Sequence, residues 1–509
     1  MNKKILSTAA AMMLCCAAFA QQKAITKFSQ SITKENAYKH LSVLASDEYE
    51  GRETGTRGAW MAAEYIKNYF KSIGLKGPVN AKPGVPGDYF QSVDLAKYEL
   101  EQCIFTVNGD SKEQFKDFVI QPSKVGVKGF TFNAPEILFA GSSADKQRQD
   151  FTGLDVAGKV VMLTTRYYDV KYLTDHNALA IILVDPELDN ASAQQLERFK
   201  EPARLMLKNE DNVERMNKQK FMNSITISSA LAKEIFKAAG VDPANPPAGL
   251  LKVPVSATAM KKEVKVRAEN VLGFLEGSDP KLKKEVLVIT GHYDHIGIGT
   301  TGTDKINNGA DDDGSGTTGV LMLADAFMKA KKAGYGPKRS ILFMTVVGEE
   351  KGLWGSDWYS EHPVFPLENT ITDLNIDMIG RGDAAHAADN NFVYIIGSNM
   401  LSSDLDRIGK KANQDYVGIK LDETYNNRTD PNRFYYRSDH YNFAKHGIPV
   451  IFYFNGVHPD YHQPGDEVSK IDFPMLAKRA KLVYFTAWEL ANGAKRPVVD
   501  KNDDGTPIK

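Results

Sequence analysis

The stretch "EVLVITGHYDH", Glu285–His295, decides how this chain is read. Its apolar run has no polar alternation, which marks a strand buried on both faces of a sheet. The run ends at Gly291, and two imidazoles and a carboxylate follow at once: His292, Asp294 and His295. In open α/β sheets, sites form outside the carboxyl ends of the strands. The same arrangement recurs downstream. "SILFMTVV" (Ser340–Val347) leads into "GEEKGLWGS" with Glu349 and Glu350. "LNIDMIG" carries Asp377, and "IPVIFYF" leads into "NGVHPDYHQPGDE" with His458 and His462. The run "GADDDGSG", Gly309–Gly316, places Asp311, Asp312 and Asp313 side by side before a helix marked by Val320, Leu323, Ala324, Phe327 and Met328. Five segments thus deliver acids or imidazoles to what can be one rim.

Around these strands the pattern is that of an α/β protein. "FVYIIGS" reads as a further strand and "MLAKRAKLVYFTAWELA" (Met475–Ala491) as a closing helix. Near the start, helices are expected over Asn36–Ser46 and Arg57–Ile73, the second stopped by Gly74. Alternating strands and helices imply a mixed, mostly parallel central sheet sandwiched by helices. From about Asp110 to Lys262 the texture changes to short β-rich pieces, such as "KVVMLTT" and "LAIILVDP", separated by turns and polar helices. That region reads as an insertion. The expected layout is a signal peptide over 1–20, a first part of the main domain over 21–110, an inserted domain over 111–263, and the second part over 264–509.

The N-terminus "MNKKILSTAAAMMLCCAAFA" has two lysines, a short apolar run and small residues at Ala18 and Ala20. It is expected to be a secretory signal peptide cut after Ala20, giving an exported protein, periplasmic or extracellular. The apolar run is short for a membrane span, and no later segment is long and apolar enough to be one. Cleavage would remove Cys15 and Cys16 and leave Cys103 alone, so no internal disulfide is expected. The 509 residues, 42% hydrophobic and 25% charged, suffice for two or three domains with a sizeable core. A formal net charge of −1 gives no nucleic-acid footprint. Oligomeric state is not legible.

Imidazole and carboxylate donors without thiolate suit zinc in a catalytic site. The donors here exceed what one zinc needs. They suffice for two metals about 3.5–4 Å apart that share a carboxylate and a water. A further carboxylate must then carry the proton from water to the leaving amine, and adjacent Glu349 and Glu350 can divide these tasks. Taken singly each feature is weak: three adjacent aspartates are ordinarily a solvated loop. Asp377 is less ordinary, because a charge inside "LNIDMI" is costly to bury unpaired.

The set "GHYDH", "GADDDGSG", "GEEKGLWGS", "LNIDMIG" and "DYHQPGD" resembles the di-zinc exopeptidases that include bacterial leucyl aminopeptidases, glutamate carboxypeptidases and glutaminyl cyclases. "EGRETGT" (Glu50–Thr56) and "YRSDHYNFAKHGIPVIFYF" look like the same family, and "DFTGLDVAGKVVMLTT" (Asp150–Thr165) resembles the protease-associated module inserted in many members. The resemblance implies two Zn²⁺ ions, one held by His292 and Asp377, the other by Glu350 and His462, with Asp312 bridging. It implies Glu349 as general base, Asp294 as the acid that orients the His292 imidazole, and Tyr461 as an oxyanion donor. His458 is passed over for His462, and His295 and His440 are given structural or supporting roles. Peptides are the implied substrates and aminopeptidase the leading activity. Arg428, Arg433 and Arg437 leave a carboxypeptidase or dipeptidase open, because guanidinium groups clamp carboxylates. A glutaminyl cyclase and a non-catalytic binding protein are the remaining alternatives.

Overall fold

The computed structural model describes residues 25–508, apart from 83–84, 86, 143–146, 193–194, 197–198, 201–202, 220 and 503. The expected signal peptide lies outside the described residues. The chain divides into two compact units, Met1–Val93 with Arg267–Lys509, and Asp94–Val266.

The first unit is built on an eight-stranded mixed sheet. Its strands are β1 (Phe90–Ser92), β2 (Glu269–Leu275), β3 (Val286–His292), β4 (Ser340–Val346), β5 (Thr370–Ile376), β6 (Phe392–Ile396), β7 (Lys420–Asp422) and β8 (Val450–Phe454). Their order across the sheet is β1-β2-β4-β3-β5-β8-β6-β7. The four central strands β4, β3, β5 and β8 are parallel. β2 joins β4 antiparallel, and β6 joins β8 antiparallel. Every residue of β3, β4, β5 and β8 is buried. This is why their sequences run apolar without alternation: helices cover both faces.

On one face, α3 (Gly316–Lys332) packs against β3, β4 and three helices, α1 (Lys34–Leu44), α2 (Arg57–Ile73) and α7 (Phe473–Asn492). α5 (Ser403–Ala412) packs against α7. On the other face, α6 (His440–Ala444) packs against β5, β8 and α4 (Trp354–Glu361). α2 ends as expected at Gly74, which caps it in the left-handed region at φ 98°. Burying an apolar side chain here contributes about 1.5–3 kcal/mol, and the parallel strands supply them in unbroken series.

Two buried histidines couple this packing to pH. His40 of α1 meets the Tyr65 hydroxyl at 2.8 Å, and His440 stacks on Phe452. Burial pushes His40 down to about 4 and His440 down to about 3. The unfolded chain takes up these protons near pH 6.5, so their contribution to stability is complete above that value. It is lost as pH falls towards 3. Urea midpoints should therefore drop between pH 7 and 4, and His440→Gln should flatten that slope. An unchanged slope contradicts the reading.

The second unit has a six-stranded sheet with a parallel centre, Ile137–Phe139, Val160–Leu163, Ala180–Val184 and Ser224–Ile227. It also has an antiparallel sheet dominated by Leu95–Val107 paired with Val255–Val266 along their whole lengths. That pairing moves the boundary. The insertion was expected from 111, but Asp94–Asp110 belongs to the second unit because its strand pairs with the strand that leaves it.

Candidate metal centre

The carboxyl ends of β3, β4, β5 and β8 lie side by side, because those strands are parallel neighbours. His292 ends β3, Asp377 follows β5 directly, Glu349 and Glu350 follow β4, and His462 stands in the loop after β8. The aspartate run opens into α3, whose first turns are buried. The side chains converge. His292 Nε2 lies 3.2 Å from Asp312 Oδ1, 3.7 Å from Asp377 Oδ1 and 3.8 Å from Glu349 Oε2. His462 Nε2 lies 3.1 Å from Asp312 Oδ2 and 3.0 Å from Glu350 Oε2. One oxygen of Asp312 thus faces each imidazole, as a bridging carboxylate requires.

Two donor groups within 4.8 Å emerge that share Asp312: His292, Asp312 and Asp377, and His295, Asp312 and Glu350. His462 faces the same two carboxylates as His295, from closer to Asp312. Among the described residues, the buried atoms His292 Nε2, His462 Nε2 and Asp312 Oδ2 have no hydrogen-bond partner. Burial without a partner is costly, and cations held beside Asp312, one at each imidazole, would satisfy all three. The electrostatics point the same way. Although burial opposes it, Asp312 and Glu350 carry the His462 imidazole up to about 10. The Glu349 and Asp377 carboxylates, again against burial, raise His292 well above its ordinary value. Such a site attracts positive charge. Burial, with Glu350 and Asp377 adding repulsion, holds Glu349 well above the usual carboxylate range despite the opposing pull of His292.

The remaining expected residues fall around this centre. His292 Nδ1 lies 3.7 Å from Asp294 Oδ1 and 3.1 Å from the Asp294 carbonyl oxygen. Asp294 is itself fixed by the Thr54 hydroxyl at 2.6 Å. Tyr461 lines a cleft together with Asp312, Glu349 and Asp377. His440 stacks on Phe452, a residue of the cleft wall. His458 faces Asp311 Oδ2 at 3.3 Å and none of the donor groups.

Asp311 and Asp313 are fully buried anchors. Asp311 accepts from Gly380 N (2.7 Å), Ser315 Oγ (2.9 Å) and Asn455 Nδ2 (3.1 Å). Asp313 accepts from His292 N (3.0 Å), Met378 N (3.0 Å) and Gly316 N (2.8 Å). Together they pin the backbone beside three of the donors.

Other supporting residues were not singled out from sequence. The buried Arg52 donates to the carbonyls of Leu44, Tyr293, Asn308 and Gly309, tying the "EGRETGT" segment to two site loops. Asp466 accepts from the backbone N–H of Asp311 and Asp312 at 3.0 Å each. Ser438 Oγ donates to Asp377 Oδ2 at 2.6 Å. All three sit inside motifs quoted for the family, which was the available signal. His462 (φ 56°) and Met378 (φ 59°) hold left-handed backbone without being glycine, a strain typical of functional sites.

Residues 270–487 match the model of Peptidase family M28. All the expected ligands lie within the matched residues. A probable zinc metalloprotease of Pyrenophora teres f. teres is 28% identical over 280 residues, covering 48% of this chain and 56% of the relative. A probable leucine aminopeptidase of Arthroderma benhamiae is 28% identical over 245 residues, covering 44% and 64%. The match therefore spans little more than half the length of these curated relatives. Among solved structures, the aminopeptidase from Aneurinibacillus sp. strain AM-1 aligns over 95% of this chain and 100% of that one, with TM-score 0.49 and 18% identity.

Proposed function

We propose that the chain is an exported two-zinc metallo-exopeptidase, and specifically an aminopeptidase. The observation that carries this reading is the pair of donor sets that share Asp312, with Glu349 beside them. His292 and Asp377 would hold one ion, Glu350 and His462 the other, and Asp312 both. When bound, a zinc pair acidifies a shared water and polarises the scissile carbonyl.

The rest of the chemistry falls to the chain. Glu349, whose affinity for protons is raised by burial, accepts the proton of the attacking water and returns it to the departing amine. The Tyr461 hydroxyl donates to the developing oxyanion. Asp294 and Ser438 hold His292 and Asp377 in their orientations. The cleft beside Glu349 is walled by Met378, Phe434, Phe452, Phe454 and Val457, which favours an apolar side chain on the residue released. The segment Asp94–Val266 is read as the protease-associated insertion. Residues 1–20 are read as the export signal.

One observation favours a second reading, a carboxypeptidase or dipeptidase. Of the three arginines noted in the sequence, only Arg437 lines the cleft. Arg428 bonds the Met400 carbonyl and stacks on Tyr435, and Arg433 stacks on Tyr436. Hydrolysis of free, N-acetylated and C-amidated forms of one short peptide with an apolar first residue separates the two. The aminopeptidase reading expects N-acetylation to abolish cleavage and C-amidation to leave it intact. The reverse pattern would replace it.

A further inference from the structure

The two oxygens of Glu350 face different imidazoles. Oε2 lies 3.0 Å from His462 Nε2, which is also 3.1 Å from Asp312 Oδ2. Oε1 lies 2.8 Å from His295 Nδ1, which stands 3.8 Å from Asp312 Oδ2. Three donors therefore gather on the His462 side. On its own side, His295 meets one oxygen at hydrogen-bond distance.

His295 is completely buried and its ring is clamped. A Cβ at Gly309 would lie 2.6 Å from two ring atoms, so only glycine leaves the ring its space. Its backbone N–H donates to Arg52 O at 3.1 Å, and Glu53 bridges it in parallel register. The ring is thus held in one place with Nδ1 aimed at a single carboxylate oxygen.

We propose that His295 is the positioning residue of the second metal position. Its Nδ1–H donates to Glu350 Oε1, which fixes the carboxylate and leaves Oε2 facing His462 and Asp312. The first position has a counterpart. Ser438 Oγ donates to Asp377 Oδ2, while Asp377 Oδ1 faces His292. Each terminal carboxylate thus spends one oxygen on a supporting donor and presents the other. Such outer partners are worth about 10–100-fold in metal affinity. This proposal rests on the two-metal reading above.

The test equilibrates wild type, His295→Asn and His295→Leu against buffered free zinc and counts zinc per chain. Asparagine can place an amide N–H where Nδ1 stands, so it should bind two ions with affinities near those of wild type. Leucine should lose about 10–100-fold in affinity at one position only. Leucine binding both ions as wild type does, or asparagine failing as badly as leucine, would overturn the proposal. Wild type holding fewer than two ions at saturating zinc would overturn the two-metal reading and the proposal with it. A measurement on the cobalt-loaded wild type removes any dependence on variant folding. Two imidazole rings with large contact shifts are expected, those of His292 and His462, while the His295 N–H beside Glu350 is shifted only through space. A third ring with such shifts would make His295 a direct ligand and refute the positioning role.

Discussion

Glu349→Gln should reduce turnover by about 10²–10⁴-fold while both zinc ions stay bound. Glu349 lies 3.8 Å from His292 Nε2, at the edge of the donor sets, and belongs to neither of them. Its backbone N–H donates to Asp294 Oδ1, so the chain there is anchored independently of the carboxylate. Glutamine keeps the shape and removes only the capacity to take a proton. The loss should therefore appear in kcat, with KM little changed. Zinc content and kcat measured on the same preparation check this. Full activity in the variant would remove Glu349 as the base. Loss of zinc would make it a ligand instead.

Asp312→Asn should weaken binding at both metal positions, whereas Asp311→Asn and Asp313→Asn should mainly lower stability. The contrast follows from what each carboxylate faces. Both Asp312 oxygens point at imidazoles, 3.2 and 3.1 Å away. An amide there presents an N–H₂ group, which cannot ligate, to one of the two positions. Asp311 and Asp313 instead accept hydrogen bonds from the loops that carry the donors. Asparagine at either site leaves one oxygen to accept and turns the other contact repulsive, at about 1–3 kcal/mol. Zinc per chain and Tm should therefore separate the three variants. Asp312→Asn should show low zinc with the smallest change in the Tm of the metal-free protein. Equal zinc loss in all three would mean that the inward-facing member of the run has been misassigned.

The strands were legible in the sequence because a sheet covered on both faces demands unbroken apolar runs. "EVLVIT", "SILFMTVV" and "IPVIFYF" can hardly be anything else. The convergence of these side chains was legible because parallel strands deliver their next residues to one edge. The order of the strands was not legible. It depends on which faces pack, and β2 and β6 join antiparallel through contacts far apart in sequence. The boundary of the insertion was missed for the same reason. Leu95–Val107 looks like part of the first segment until its partner, Val255–Val266, is seen. Arg52 and Ser438 were quoted inside motifs without roles, since a buried donor's acceptors are visible only in three dimensions.

The central claim is a two-zinc centre bridged by Asp312, and anomalous diffraction at the zinc edge from crystals of the zinc-loaded protein tests it most directly. Two peaks are expected, one among His292, Asp312 and Asp377, the other among Asp312, Glu350 and His462. A single peak at full zinc loading, or peaks away from Asp312, would contradict the account.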